Sequence, residues 1–433
     1  MADPTGLVQT VLGPVAVKAL GVTLPHEHLS MTFDCCFVEP PAGHGHRATM
    51  EFNLSGLHWI QQHPYSHRGN LRLGEEEEAV RRDLFAFREA GGGALVENST
   101  TGLCRDMGAL QRLSRQTGVH VVAGTGFYVA STHTPETQAM TIEQLAGVMR
   151  GDLLDGVDGT VVRCGVIGEL GCSWPLDETE RRVLQAAGTL QADVGCPVIV
   201  HPGRHISSPA DITRVLLEAG GKAPKIVMSH LDRTLLEREA LLEFATLGTY
   251  LEFDLFGTEV LDYQLNLDID MPSDNERIHW IEFLLAEGLE KRLLVSHDIH
   301  TKHRLTTFGG HGFEHILTKI APKMLRRGMS QHALDCILRT NPQTWLAWPE
   351  QGAEAGRVED GKAEKNCLKA ARQPLEMCPG RPHLKGNGAP PWRKEGHPPL
   401  VPSSSCADSP TQAPIPRCAD PRRLLVLLVA LFS

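Results

Sequence analysis

The feature that most constrains this chain is an alternation. Short apolar runs recur at 93–99, 120–126, 163–169, 197–201, 225–230, 249–254 and 292–298, with helix-length segments between them at 107–117, 141–155, 177–194, 209–219, 235–246 and 275–287. Near-continuous Val, Ile and Leu suit a strand covered on both faces, and strands linked through helices run parallel. An earlier run at 21–28 is followed by a helix expected over 75–90, with acidic residues at its positive end and Val80, Leu84 and Phe87 as its apolar stripe. Eight such units predict a (β/α)8 TIM barrel rather than an open, doubly wound sheet. No Gly-x-Gly-x-x-Gly turn follows any of the strands, which argues against a dinucleotide-binding fold. Residues 8–17 read as two short strands about Leu12-Gly13-Pro14, a hairpin expected to close the bottom of the barrel.

Two stretches fall outside the alternation. Residues 31–74 form a long irregular insertion rich in Pro, Gly and His, and a loop of that length in a compact domain is functional or mobile. From 347 the chain loses periodicity and large apolar residues, so the expected division is the barrel over 1–346 and a disordered, low-complexity tail over 347–433. The tail ends in an apolar run at 424–432, far short of the roughly 20 residues that span a bilayer, so no membrane partner is expected. A formal charge of −10 argues against nucleic acid as a partner. The first residues carry no basic segment followed by an apolar core, so a cytoplasmic protein is expected, with its 11 cysteines reduced. None of the cysteines forms a Cys-x-x-Cys pair, which disfavours a thiolate zinc site.

Barrel active sites form at the C-terminal ends of the strands, so each run is judged by its last residues. The first ends in Pro25-His-Glu-His28, where alternation places His26 and His28 on one face. With 21 histidines in 433 residues, about one His-x-His is expected by chance, and the second pair, His44 and His46, reads as loop. Later runs end in Glu169, His201, His230 and Asp298. Taken singly each has a plainer reading, a hydrogen-bonded structural histidine or a helix N-cap aspartate. Together at one rim they suit two divalent metal ions, with zinc expected: His26, His28 and Asp298 on the first, His201 and His230 on the second, and Glu169 between them. Two cations lower the pKa of a shared water towards neutrality, and Asp298 is placed to accept its proton and relay it to the leaving group.

The segments Leu24-Pro-His-Glu-His-Leu29, Gly168-Glu-Leu-Gly171, Val200-His-Pro202 and Ser229-His-Leu-Asp232 resemble those of the phosphotriesterase family of the amidohydrolase superfamily, in the family's order and spacing over about 1–346. The resemblance implies the same barrel, the same six ligands, a binuclear centre and hydrolytic activity. It also implies small anionic N-acetyl amino compounds, such as N-acetyltaurine, as substrates. Two departures stand out. Glu169 occupies the place where many members carry a carbamylated lysine, and the run at 250–254 lacks the relay histidine of the phosphotriesterases. Asp232 matches the family pattern and is placed to orient Asp298 or a water.

Specificity is expected in the loops beyond the strands. Arg204, three residues past His201, is suited to clamp a carboxylate or sulfonate, or else forms a surface salt bridge. Tyr128 and Trp174 are candidates for the acyl pocket, or rim aromatics that only pack, and Asn98 is a further candidate contact. Three functions are compatible with this reading: an amidase for small N-acyl amino compounds, a lactonase or phosphotriesterase-type esterase, and a catalytically silent barrel. The expected partner is a small-molecule substrate, and a homodimer is compatible with the sequence.

Overall fold

The computed structural model describes residues 6–348. An antiparallel hairpin, β1 (Leu7–Thr10) and β2 (Gly13–Ala16), precedes eight strands that pair in parallel, each with the next. These are β3 (Val22–Glu27), β4 (Gly92–Glu97), β5 (His120–Thr125), β6 (Val166–Gly171), β7 (Val198–His201), β8 (Ile226–Met228), β9 (Tyr250–Phe253) and β10 (Leu293–Val295). The seam between β10 and β3 is bridged just beyond β10, where Asp298 N donates to His26 O at 3.1 Å and Ser296 Oγ to the same oxygen at 2.7 Å. The barrel is therefore nearly closed, as the eightfold alternation predicts.

Helices cover the outside, and local sequence sets their ends. Thr141 with Gln144, Asp177 with Glu180 and Ser273 with Glu276 form capping boxes at the starts of Ile142–Leu154, Glu178–Val194 and Asp274–Ala286. Gly118 and Gly195, at φ 71°, adopt the left-handed conformation that stops Met107–Thr117 and Glu178–Val194. The helix expected over 75–90 spans Glu77–Glu89. The cover after β10, which the sequence pattern did not resolve, is a broken series of short helical turns from Ile316 to Leu346.

Strand alternation divides the core in two. Leu95, Val121, Ile167, Val198, Val200, Met228, Leu251 and Leu293 pack with the helices. Ala94, Val96, Val122, Val166, Ile199, Val227, Tyr250 and Leu294 fill the barrel interior, and Val8, Val17, Leu20 and Trp345 plug it from the bottom. Ala347 still packs against this plug, and Trp348 is tied to the barrel beside it, its N bonding Leu7 O at 3.0 Å and its Nε1 bonding Gly165 O at 2.9 Å. The first two residues of the expected tail, Ala347 and Trp348, are thus held against the barrel, and 349–433 lie outside the described residues. Among the described residues no helix is long and apolar enough to cross a membrane.

The insertion is folded across the barrel mouth. It holds a helix, Leu54–Gln62, and several single turns, and bonds such as Phe33 N to Leu71 O (2.7 Å) and Gly74 N to Met31 O (2.9 Å) tie its ends together. His44 and His46 lie exposed on this segment, in or beside the turn Gly45–Thr49, as the loop reading expects.

Candidate metal centre and cavity

The parity that fills the interior also selects what reaches the rim. Ile199 packs inside and His201 follows two residues later, Tyr250 is followed by Glu252 and Asp254, and Leu294 by Ser296 and Asp298. On β3 and β6 the register shifts between Leu24 and Glu27 and between Ile167 and Leu170, irregularities that re-aim His26 and Glu169. The ladders of β8 and β10 stop sooner than the apolar runs suggest, because His230 and Asp298 both turn into the left-handed region at φ 53°. Such backbone costs free energy and is found where a side chain must be aimed.

The six expected side chains meet. Glu169 Oε1 lies 2.7 Å from His201 Nδ1, 3.0 Å from His230 Nε2 and 3.5 Å from His26 Nε2, and Oε2 lies 3.9 Å from His28 Nε2. Asp298 Oδ1 is 3.2 Å from His28 Nε2 and 3.9 Å from His26 Nε2. Two groups with metal-ligand spacing form among these six, His26–His28–Asp298 and Glu169–His201–His230, and Asp254 completes a third with His26 and His230, all buried. Burial opposes ionisation of Glu169, but His201 and His26 hold it well below the usual carboxylate range. Asp298 is likewise held low, against burial, by His300 and His28. Two anionic carboxylates among imidazoles are a donor set suited to divalent cations. His26 Nε2, buried and without a hydrogen-bond partner among the described residues, marks an open ligand position.

Outer bonds hold the imidazoles. Asp254 binds His230 Nδ1 through Oδ1 (2.8 Å) and His26 Nδ1 through Oδ2 (3.0 Å), while Glu252 Oε2 is 3.1 Å from His26 Nδ1. His28 Nδ1 meets Ser99 Oγ at 2.9 Å, and that hydroxyl donates to Glu97 Oε1 at 2.6 Å. Such contacts direct the opposite ring nitrogen into the site.

Above the six lies a small cavity. Met31, Phe33 and Tyr65 of the insertion, Leu103, Tyr128, Leu255 and Tyr263 form much of its wall, and Arg204, Arg233 and Arg304 also line it. His300 Nδ1 lies 3.2 Å from Asp298 Oδ2, and its Nε2 is 3.1 Å from the Tyr65 hydroxyl.

The model of the phosphotriesterase family matches residues 6–346. The chain belongs to that family. It is 56% identical over 348 residues to the N-acetyltaurine hydrolase of Bos taurus and 55% identical to that of Homo sapiens, each alignment covering 80% of this chain and all of the relative. Among solved structures, a resiniferatoxin-binding protein from Rhodobacter sphaeroides is similar at a TM-score of 0.76 and 29% identity, over 80% of this chain and 97% of that one. The phosphotriesterase homology protein of Escherichia coli, at a TM-score of 0.61 and 24% identity over 76% of this chain and 99% of that one, shares the fold.

Within this family member the remaining sequence candidates divide. Tyr128 and Arg204 line the cavity, with the Tyr128 hydroxyl 3.4 Å from His201 Nδ1. Trp174 does not line it. Ser173 is bonded through N and Oγ to Glu180 Oε2, both at 2.8 Å, and the next residue stacks on His205 with ring centroids 4.3 Å apart. Asn98 is not in the cavity wall either. It lies fully buried beneath Glu169, its Nδ2 on Pro25 O at 3.1 Å and its carbonyl 3.4 Å from Glu169 N. Asp232 Oδ2 accepts from Arg277 Nε (2.7 Å) and Leu255 N (3.0 Å), which ties it to the loop after β9, while its buried Oδ1 has no hydrogen-bond partner among the described residues. The sequence reading missed Asp254, Glu252, Tyr65, Tyr263, Arg233 and Arg304. For Glu252 and Asp254 a signal existed, since both share the inward parity of Tyr250. The others are loop residues with no periodicity to flag them.

Proposed function

We propose that this family member is a binuclear metal-dependent amidase that cleaves small anionic N-acyl amino compounds, N-acetyltaurine foremost. The observation that carries the reading is the convergence of six buried ligand side chains under a cavity that also presents the Arg204 guanidinium. The two mammalian relatives named N-acetyltaurine hydrolase, similar along their whole length, support the substrate. In this reading His26, His28 and Asp298 would hold one cation and His201 and His230 the other, with Glu169 as the carboxylate between them. Two divalent ions, zinc in this proposal, supply polarisation of the acyl carbonyl and ionisation of a water near neutral pH.

The chain's own groups do the rest. Asp298, held anionic by His300 and His28 with Oδ1 beside His28 Nε2, accepts the proton of the attacking water. Water adds to the acyl carbon, the C–N bond breaks, and the departing amine takes that proton. Arg204 binds the anionic end of the substrate, while Phe33, Leu103 and Tyr128 enclose the acyl group and limit bulk water. The seven described cysteines are all free, which fits a cytoplasmic protein.

The test is release of taurine and acetate from N-acetyltaurine by the zinc-loaded protein, measured beside a γ-lactone and an aryl phosphotriester. Preference for either ester would replace the amidase reading, and inactivity on all three would favour the silent barrel. Arg204→Ala is expected to raise KM for N-acetyltaurine about tenfold to a hundredfold, the scale of one charge-assisted hydrogen-bonded contact. An unchanged KM removes Arg204 from the substrate site.

A further inference from the structure

Three guanidinium groups line the cavity, and two of them are already engaged by the protein at their outer ends. Arg233 spends Nη2 on Pro202 O (3.1 Å) and Nη1 on Thr234 Oγ1 (3.4 Å), and Arg304 places Nη1 on Asp298 O at 2.7 Å. Arg204 differs. Its Nε donates to the Tyr263 hydroxyl at 3.0 Å, and neither of its terminal nitrogens has an acceptor among the described residues. No carboxylate there lies within ion-pair distance of it. A largely enclosed guanidinium without an anion carries a desolvation cost that an anionic ligand offsets, and its planar fork suits two oxygens of one acid group.

Tyr263 aims that fork. With Nε held by the phenol oxygen, the guanidinium loses rotation about its last bonds and its terminal nitrogens are left for a ligand. Because the Tyr263 oxygen accepts this bond, its own O–H remains to donate, and no acceptor for it exists among the described residues. The ring is only 7% exposed and forms part of the cavity wall. Its segment is tied on two sides. Asn266 Nδ2 bonds Arg204 O at 3.3 Å, while Gln264 takes Tyr65 N at 3.0 Å and donates to Ser66 Oγ at 3.0 Å. Burial pushes the Tyr263 phenol up, yet Arg204 and Arg233 bring it below its usual value, as befits a strong donor in an electropositive corner.

We propose that Tyr263 is a specificity-determining residue, which with Arg204 forms a two-part receptor for the sulfonate or carboxylate end of the substrate. The inference rests on the amidase reading above and names the residue that makes the cavity select for charge. It is tested with the full chain, zinc-loaded, by comparing kcat/KM for N-acetyltaurine with that for N-ethylacetamide, which keeps the amide and lacks the acid. In Tyr263→Phe the preference for the anionic substrate is expected to fall at least tenfold, about 1.4 kcal/mol, chiefly through KM. In the Arg204→Ala background the same change should alter the preference less than threefold, since the two residues act as a unit. Inhibition by taurine should weaken in parallel in the single variant. An unchanged preference, equal losses on both substrates, or the same loss with and without Arg204 would overturn the proposal. A wild-type protein that shows no preference for N-acetyltaurine over N-ethylacetamide would overturn it as well, whereas one that cleaves neither amide would sink the amidase reading itself.

Discussion

Asp254 makes two bonds, to His230 Nδ1 and to His26 Nδ1, and so sets the direction of two imidazoles that the proposal gives to different cations. A carboxylate behind a ligand histidine fixes the ring and strengthens its basicity, and its loss commonly costs ten- to a hundredfold in metal affinity. Asp254→Asn, which keeps the shape and removes the charge, is expected to weaken metal binding by that factor, read by competition with a chromogenic chelator. Wild-type affinity in the variant would mean that the rings are held by packing alone. The residue scale is also where sequence reasoning had mixed reach. His26, His28, Glu169, His201, His230 and Asp298 were legible because each closes an apolar run. Asn98 and Trp174 were misplaced because proximity to a strand end in the sequence does not say whether a loop turns over the cavity or away from it. Glu180, seven residues further on, decides that for Trp174 by anchoring Ser173.

At the scale of elements, the bottom plug is independent of the chemistry at the other end. Trp345 is fully buried among Val8, Val17, Leu20 and the interior residues of the strands, with Nε1 on Lys225 O at 3.2 Å. Lys225 Nζ in turn bonds the carbonyls of Thr344, Trp345 and Ala347 at 2.8, 2.9 and 2.6 Å, fastening the last helix to the start of β8. Trp345→Ala opens a cavity in this plug and is expected to destabilise the fold by about 3–5 kcal/mol, measured by urea unfolding. Turnover per folded molecule should stay near that of the wild type, because the plug and the rim lie at opposite ends of the barrel. A loss below about 1 kcal/mol would show that the plug collapses around the deletion. The alternation of apolar runs announced the strands and most helices, but the broken cover from Ile316 to Leu346 escaped it. Short turns with Pro at 322 and 342 carry no sustained 3.6-residue period.

Across the whole molecule, the rim gathers charge that the fold alone does not balance. Cations bound there but not to the unfolded chain stabilise by mass action, by about 4 kcal/mol at a free concentration a thousandfold above Kd. Chelation should therefore lower the melting temperature by several degrees, and zinc should restore it. Since an imidazole must be neutral to hold a metal, occupancy should decline as the pH is lowered. An identical melting temperature with and without chelator would mean that the six side chains do not hold metal in the isolated protein.

What the sequence determined by itself was periodic or local. Runs of Val, Ile and Leu specify buried parallel strands, caps specify helix ends, and a charged or imidazole side chain at the end of such a run specifies a place on the rim. These follow from the geometry of a single element and need no knowledge of its neighbours. The tertiary structure alone decided which loops close over that rim. Tyr65 from the insertion, Tyr263 from the loop after β9 and Arg204 from the loop after β7 come together because Gln264 and Asn266 tie their segments to one another. Those bonds join positions separated by about 60 to 200 residues, and irregular backbone carries no repeat from which such meetings can be read.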